Sequence, residues 1–204
     1  MGAAFGWGTL AACSLVIGAL VAFWFHLSLR AIGLIMGFGA GVLISRFGGS
    51  DRKDASGAQG SGSALAIVLG SVLDGIPESM VIGLTIFQGG AVGAAYLAAV
   101  FISNLPESIS STTGLVSGGW KKSRILWMWI AIALVSGLAS LAGYGLFQQS
   151  SPGTVSFVLA FAAGAILTML ADTMMPEAFD DGGKWVGVAT TLGFAVAYTI
   201  HALD

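Results

Sequence analysis

The 204-residue chain is 56% hydrophobic and only 9% charged, with a mean hydropathy of +0.90. A soluble domain carries about a quarter charged residues, so the composition excludes one. It predicts an all-α polytopic membrane bundle, one transmembrane domain over residues 1–204 with a polar loop at about 47–63. A net charge of −2 without a basic stripe excludes nucleic acid as a partner. The lone Cys13 excludes a disulfide framework or a thiolate metal site.

Apolar runs long enough to span a bilayer are expected at about 7–25, 31–46, 64–87, 91–116, 125–147, 154–176 and 185–203. No basic stretch precedes the first, so a cleavable signal is not expected. In the second, Gly33, Gly37 and Gly41 recur every four residues, a face on which two helix backbones can approach closely. The stretch from Gly48 to Ser63 has the Gly/Ser/Asp/Lys composition of a loop. Basic residues set orientation. Arg46, Arg52 and Lys53 flank or lie in loop 2–3, Lys121, Lys122 and Arg124 lie in loop 4–5, and Lys184 lies in loop 6–7. With strictly alternating spans these share the cytoplasmic side, opposite Arg30, and place the N-terminus inside and the C-terminus outside.

Two internal echoes run through the chain. Leu73-Asp74-Gly75-Ile76-Pro77-Glu78-Ser79 in the third run resembles Ser103-Asn104-Leu105-Pro106-Glu107-Ser108 in the fourth. Met36 to Leu43 in the second resembles Leu159 to Ile166 in the sixth. Matching interrupted segments in two parts of a membrane chain point to a binding site where the repeats meet.

The chemistry lies in the acids. Asp74, Glu78, Glu107, Asp172 and Glu177 sit within or at the mouths of apolar runs that hold no Lys or Arg to neutralise them. A carboxylate at the bilayer centre costs roughly 2.5–3.5 kcal/mol on insertion scales, so such groups face a cavity and serve a function. Asp74 and Glu78 are four residues apart on one helix face, as are Ser103 and Glu107, with Asn104 three residues before Glu107. Each Glu follows a Pro, whose ring frees the carbonyl four residues earlier, at Leu73 and Ile102. Runs three and four are joined by a short turn, so their acidic faces can meet in an oxygen-rich cluster suited to a divalent cation. Run six ends in Asp172-Thr-Met-Met-Pro-Glu177 and then Asp180-Asp181, a relay toward the cytoplasmic mouth or simply a solvated helix end. Met169, Met174 and Met175 are expected to face lipid or pack, and His26 and His201 to be interfacial or packed rather than ligands.

These motifs resemble those of the ZIP (Zrt/Irt-like) family of divalent metal transporters, well over residues 64–204 and moderately over 7–46. The resemblance implies a mid-membrane metal site in which Asp74 stands where His is usual. Glu78 and Glu107 bridge the metal, Asn104 and Ser103 complete the set, and Asp172 lines the pathway. It implies transport of zinc, manganese or iron as substrate, no resident cofactor, and metal cations and the lipid bilayer as partners. It leaves a homodimer open. Asp74 for His gives an all-oxygen site, which softens any preference for zinc. Gly75 replaces a side-chain amide, which removes a second adjacent site, and Ile130 to Leu146 lacks an acid that relatives can carry. Relatives usually have eight spans and an external N-terminus, whereas seven runs are found here, as though one span after the second were absent.

The leading expectation is a transporter moving metal toward the cytoplasm by alternating access, in a bacterial inner (plasma) membrane. The alternative is a metal-binding relative that senses or assembles without conducting. The Gly-x-Gly-Asp and His-Glu-x-x-His motifs of intramembrane proteases are absent, so no enzyme is expected.

Overall fold

The structure is a computed structural model and describes residues 1–25, 27–47, 64–87, 94–148 and 150–203. It is all-helical among the described residues. The long helices are α1 (Gly2–Trp24), α2 (Leu29–Phe47), α3 (Ala64–Phe87), α4 (Ala94–Ser117) and α5 (Lys122–Leu146). Next come α6 (Pro152–Met169), a π-helical turn (Leu170–Met174), α7 (Met175–Gly182), a 3-10 turn (Gly183–Trp185) and α8 (Val186–Leu203). Among the described residues, three stretches are long and apolar enough to cross a membrane: Gly2–Trp24, Lys122–Leu146 and Pro152–Ile200. Leu29–Val42 of α2 and Gly75–Phe87 of α3 are apolar as well. A membrane-embedded helical bundle accounts for them, and for the large apolar side chains left on the outside, such as Trp127, Leu138, Phe157 and Tyr198.

Helix ends follow local chemistry. The Ser151 side chain caps α6 by accepting from the Thr154 N–H at 3.2 Å, with Pro152 in the first turn. After α4, Gly119 takes φ +82°, and the N–H of Trp120 donates to the Leu115 carbonyl while that of Gly119 donates to Val116. Those two bonds close the helix in a Schellman turn. Gly183, at φ +63° and ψ −150°, occupies backbone space essentially restricted to glycine. There the long C-terminal stretch doubles back: Ile32 and Met36 of α2 pack with Ala178, and Ala40 and Val42 pack with Ile166, Met169, Leu170 and Met174. α6–α7 is therefore antiparallel to α2. Beyond the turn, Gly37 lies against Val186 and Gly41 against Thr190, so α8 runs in the same direction as α2.

Equivalent contacts fix the other directions. Gly8 of α1 meets Ser136 and Ser140 of α5, while Lys122 Nζ donates to the carbonyl of Phe23 at 3.1 Å, so α1 and α5 are antiparallel. Gly75 lies by Ser136, Met80 by Gly143 and Gly83 by Ser140 and Tyr144, so α3 and α5 are parallel. α1 parallels α4, its Gly18 against Leu105 and Ser108. Hence α1, α4 and α6–α7 point one way and α2, α3, α5 and α8 the other.

This corrects the orientation drawn from alternating spans. α2 and α3 run in the same direction, so Phe47 and Ala64 lie at opposite ends of the bundle, and Gly2 and Leu203 share an end. Arg30 joins Lys121, Lys122, Arg124 and Lys184 at the other end, while Arg46 is on the side of the termini. Strict alternation failed because helix packing, not parity, sets direction. Arg52 and Lys53 lie outside the described residues.

The interior is packed through small residues. Trp129 of α5 is fully buried, its indole N–H donating to Thr112 Oγ1 of α4 at 2.8 Å. Of the two roles expected for Met169 and Met174, facing lipid or packing, it is packing that is found: both are buried in a cluster with Ala40 and Val42 of α2.

Candidate functional site

α3 and α4 carry Pro77 and Pro106 inside continuous helix. Neither breaks the helix, since bundle packing holds both sides of each Pro in place. The two are antiparallel, as their short connection requires, but scarcely touch: α1 and α5 pack on α3, and α1 and α2 pack on α4. Their described link is Tyr96 Oη, which donates to the main-chain carbonyl of Glu78 at 3.0 Å. The two helices thus make few contacts along their described lengths.

Glu78 is 2% exposed, Ser103 1% and Asn104 7%, so three expected site residues are inside the protein. Glu107 is half-buried on the same helix. Ser103 Oγ donates to the Val100 carbonyl at 3.0 Å, which leaves its lone pairs available to a ligand. The side chains of Asp74 and of both histidines lie outside the described residues. Among the described residues, no three His, Cys, Asp or Glu converge as a metal cluster. Any cation at this level would be held by Glu78 and Glu107 together with Asn104, Ser103 and the Pro-freed carbonyls.

At 1.5 Å rise per residue, helix positions give each group a depth from the Lys121–Arg124 end. Glu78 and Asn104 lie about 20 Å in, Glu107 and Asp172 about 15 Å, and Glu177 about 8 Å. Asp180 and Asp181 sit at that end beside the turn. The carboxylates descend in steps from the middle of the bundle to the basic end.

Glu177 Oε1 accepts from Ser110 Oγ, tying α7 to α4 just below the Glu107 level. Asp172 lies in the π turn and is exposed, opening into a groove between α3 and α6. A π turn offsets the helix face by one residue and recurs at functional sites; here it turns Met174 inward and Asp172 outward.

Ser110 and Tyr96 were not among the residues expected from sequence. The signal was available, because Tyr96, Ser103, Glu107 and Ser110 follow one another at +7, +4 and +3, one polar stripe along α4. The basic end is held by contacts of its own: Lys122 lies 5.4 Å from the Phe23 ring centroid, and the Arg124 guanidinium 4.0 Å from that of Trp120.

No protein-family model matches this chain, and no curated protein is significantly similar to it.

Proposed function

We propose that the chain is a divalent metal cation transporter of the ZIP type, for zinc, manganese or iron, working by alternating access. The observation that carries this reading is Glu78. A carboxylate buried to 2% exposure inside an apolar bundle is costly to keep there, and ionisable groups so placed in membrane helices mark ion pathways. The stepped descent of Glu107, Asp172 and Glu177 supports a path from that point to the basic end. By the positive-inside rule the end bearing Arg30, Lys121, Lys122, Arg124 and Lys184 is cytoplasmic, so metal leaves past Glu177, Asp180 and Asp181. Both Gly2 and Leu203 then face away from the cytoplasm, and the membrane is a bacterial plasma membrane.

In this cycle a hydrated ion exchanges water for the oxygens of Glu78, Glu107, Asn104 and Asp74. Protonation of the carboxylates favours release. The Ser110–Glu177 bond closes the cytoplasmic side and must open for the ion to pass.

The test is uptake of Zn²⁺, Mn²⁺ and Fe²⁺ into proteoliposomes, comparing the parent with Glu78→Ala/Glu107→Ala. Uptake by the parent alone is the expected result and reveals the preferred ion. If the parent binds metal without moving it, the sensing or assembly role replaces transport. If parent and variant behave alike, the paired glutamates are not the site.

A further inference from the structure

The start of α5 gathers positive charge that no acid among the described residues offsets. Three of the chain's eight basic residues, Lys121, Lys122 and Arg124, occupy one four-residue stretch. α1, α5 and the turn between α4 and α5 contain no Asp or Glu. α5 also begins without a side-chain cap, so the positive end of its dipole adds to the cluster. The acids described at this end, Asp180 and Asp181, belong to α7, which packs on α2, whereas α5 packs on α1 and α3. On α3 the acids begin beside Ser136, about 18 Å further along α5 than Arg124.

The cluster is held in position. The Arg124 guanidinium lies 4.0 Å from the Trp120 ring centroid, and Trp120 itself packs against the core formed by Leu115, Ile125 and Trp129. Such stacking fixes the guanidinium plane and leaves the N–H groups on its edge free to donate. Lys122 is tied to the end of α1 through the carbonyl and ring of Phe23. Lys121 and Arg124 head an exposed stripe of α5 that continues through Trp127, Ala131, Leu134 and Leu138 in steps of three and four. Along the helix axis Trp127 lies about 4.5 Å beyond Arg124, and Leu138 about 21 Å beyond it. The order from the basic end is cation, indole, then aliphatic side chains. A phospholipid standing alongside has the matching order of phosphate, ester and acyl chain, and indoles favour the interfacial level.

We propose that this stripe is a binding site for one anionic phospholipid, its phosphate between Lys121 and Arg124, its ester region on Trp127 and an acyl chain along Leu134 and Leu138. Charge complementarity selects the occupant. Basic clusters at the membrane surface attract anionic lipids, and a guanidinium donates to phosphate oxygens in pairs. A zwitterionic headgroup would bring a cation against a cluster that already lacks an acid. The positive-inside orientation puts the lipid in the cytoplasmic leaflet. The site itself depends neither on that orientation nor on the transport reading, and it shares no residue with the carboxylate path.

Native mass spectrometry of the full chain in detergent, titrated with dioleoyl phosphatidylglycerol or dioleoyl phosphatidylcholine, tests it. The parent should hold phosphatidylglycerol about tenfold more tightly than phosphatidylcholine, as two basic contacts at a membrane surface allow. Lys121→Gln/Arg124→Gln should abolish that preference with helical circular dichroism retained, because both side chains are exposed. Arg30→Gln/Lys184→Gln removes the same charge from the same end, away from the stripe, and should leave the preference intact. Equal binding of the two lipids by the parent, a preference that survives in the Lys121/Arg124 variant, or an equal loss in the Arg30/Lys184 variant would overturn the proposal. So would inorganic phosphate raising the parent's thermal midpoint as much as phosphatidylglycerol does, since the ligand would then be a free anion rather than a lipid.

Discussion

α2 and α6 carry nearly the same run of small and aromatic residues, Met36 to Leu43 and Leu159 to Ile166, yet meet opposite surroundings. α2 is buried beneath α8, with glycines whose hydrogens already touch backbone. α6 presents the equivalent face to the outside and an acid-bearing groove. A small-residue stripe therefore states that something can approach closely, while the topology decides whether anything in the same chain does.

Substitutions at matched positions can break or sharpen that contrast. The largest effect is expected for Gly41→Leu, which drives a side chain into the Thr190 main chain and should cost about 3 kcal/mol or more. It would be read as a large drop in thermal midpoint in detergent; a tolerated leucine would mean that α8 does not cover α2. Ser110→Ala comes next. It removes the donor to Glu177 that fixes α7 to α4, at about 1 kcal/mol, and hydrogen exchange should rise in α7 more than in α2. Thr190→Val should go the other way. Thr190 Oγ1 is buried against α2 without a hydrogen-bond partner among the described residues, so an isosteric methyl should stabilise by up to about 1 kcal/mol. The smallest change is Gly164→Ala, measured on monomer in detergent. Open space around the new methyl predicts a neutral result or a gain of under about 1 kcal/mol from helix propensity. A loss comparable to that at Gly41 would show that the α6 face is already covered.

The candidate residues could be picked out along the chain because the signals that mark them are local. The Pro-Glu pairs, the four-residue spacings and the absence of Lys and Arg from both helices can be read without a fold, and Glu78, Ser103 and Asn104 are indeed interior. What could not be read was how α3 and α4 stand to each other. A short connection makes two helices antiparallel but does not force their faces together, and here other helices take most of the contact. Ser110 lies on the polar stripe of α4, but its pairing with Glu177, 67 residues away, could not be read from spacing. Orientation was misread for a related reason: counting spans assumes strict alternation, which makes the second and last runs antiparallel, whereas the contacts of Gly37 with Val186 and of Gly41 with Thr190 set α2 parallel to α8.

By itself the sequence determined that this protein is helical and lives among apolar surroundings, and that its few acids must be accounted for. Those properties follow from residue type and periodicity, which act within a turn or two of helix. Only the tertiary structure decided the helix directions, the depth of each carboxylate, the π turn that sends Met174 inward and Asp172 outward, and the bare face of α6. Each depends on which backbones can approach, and that is settled by contacts between residues far apart in the chain.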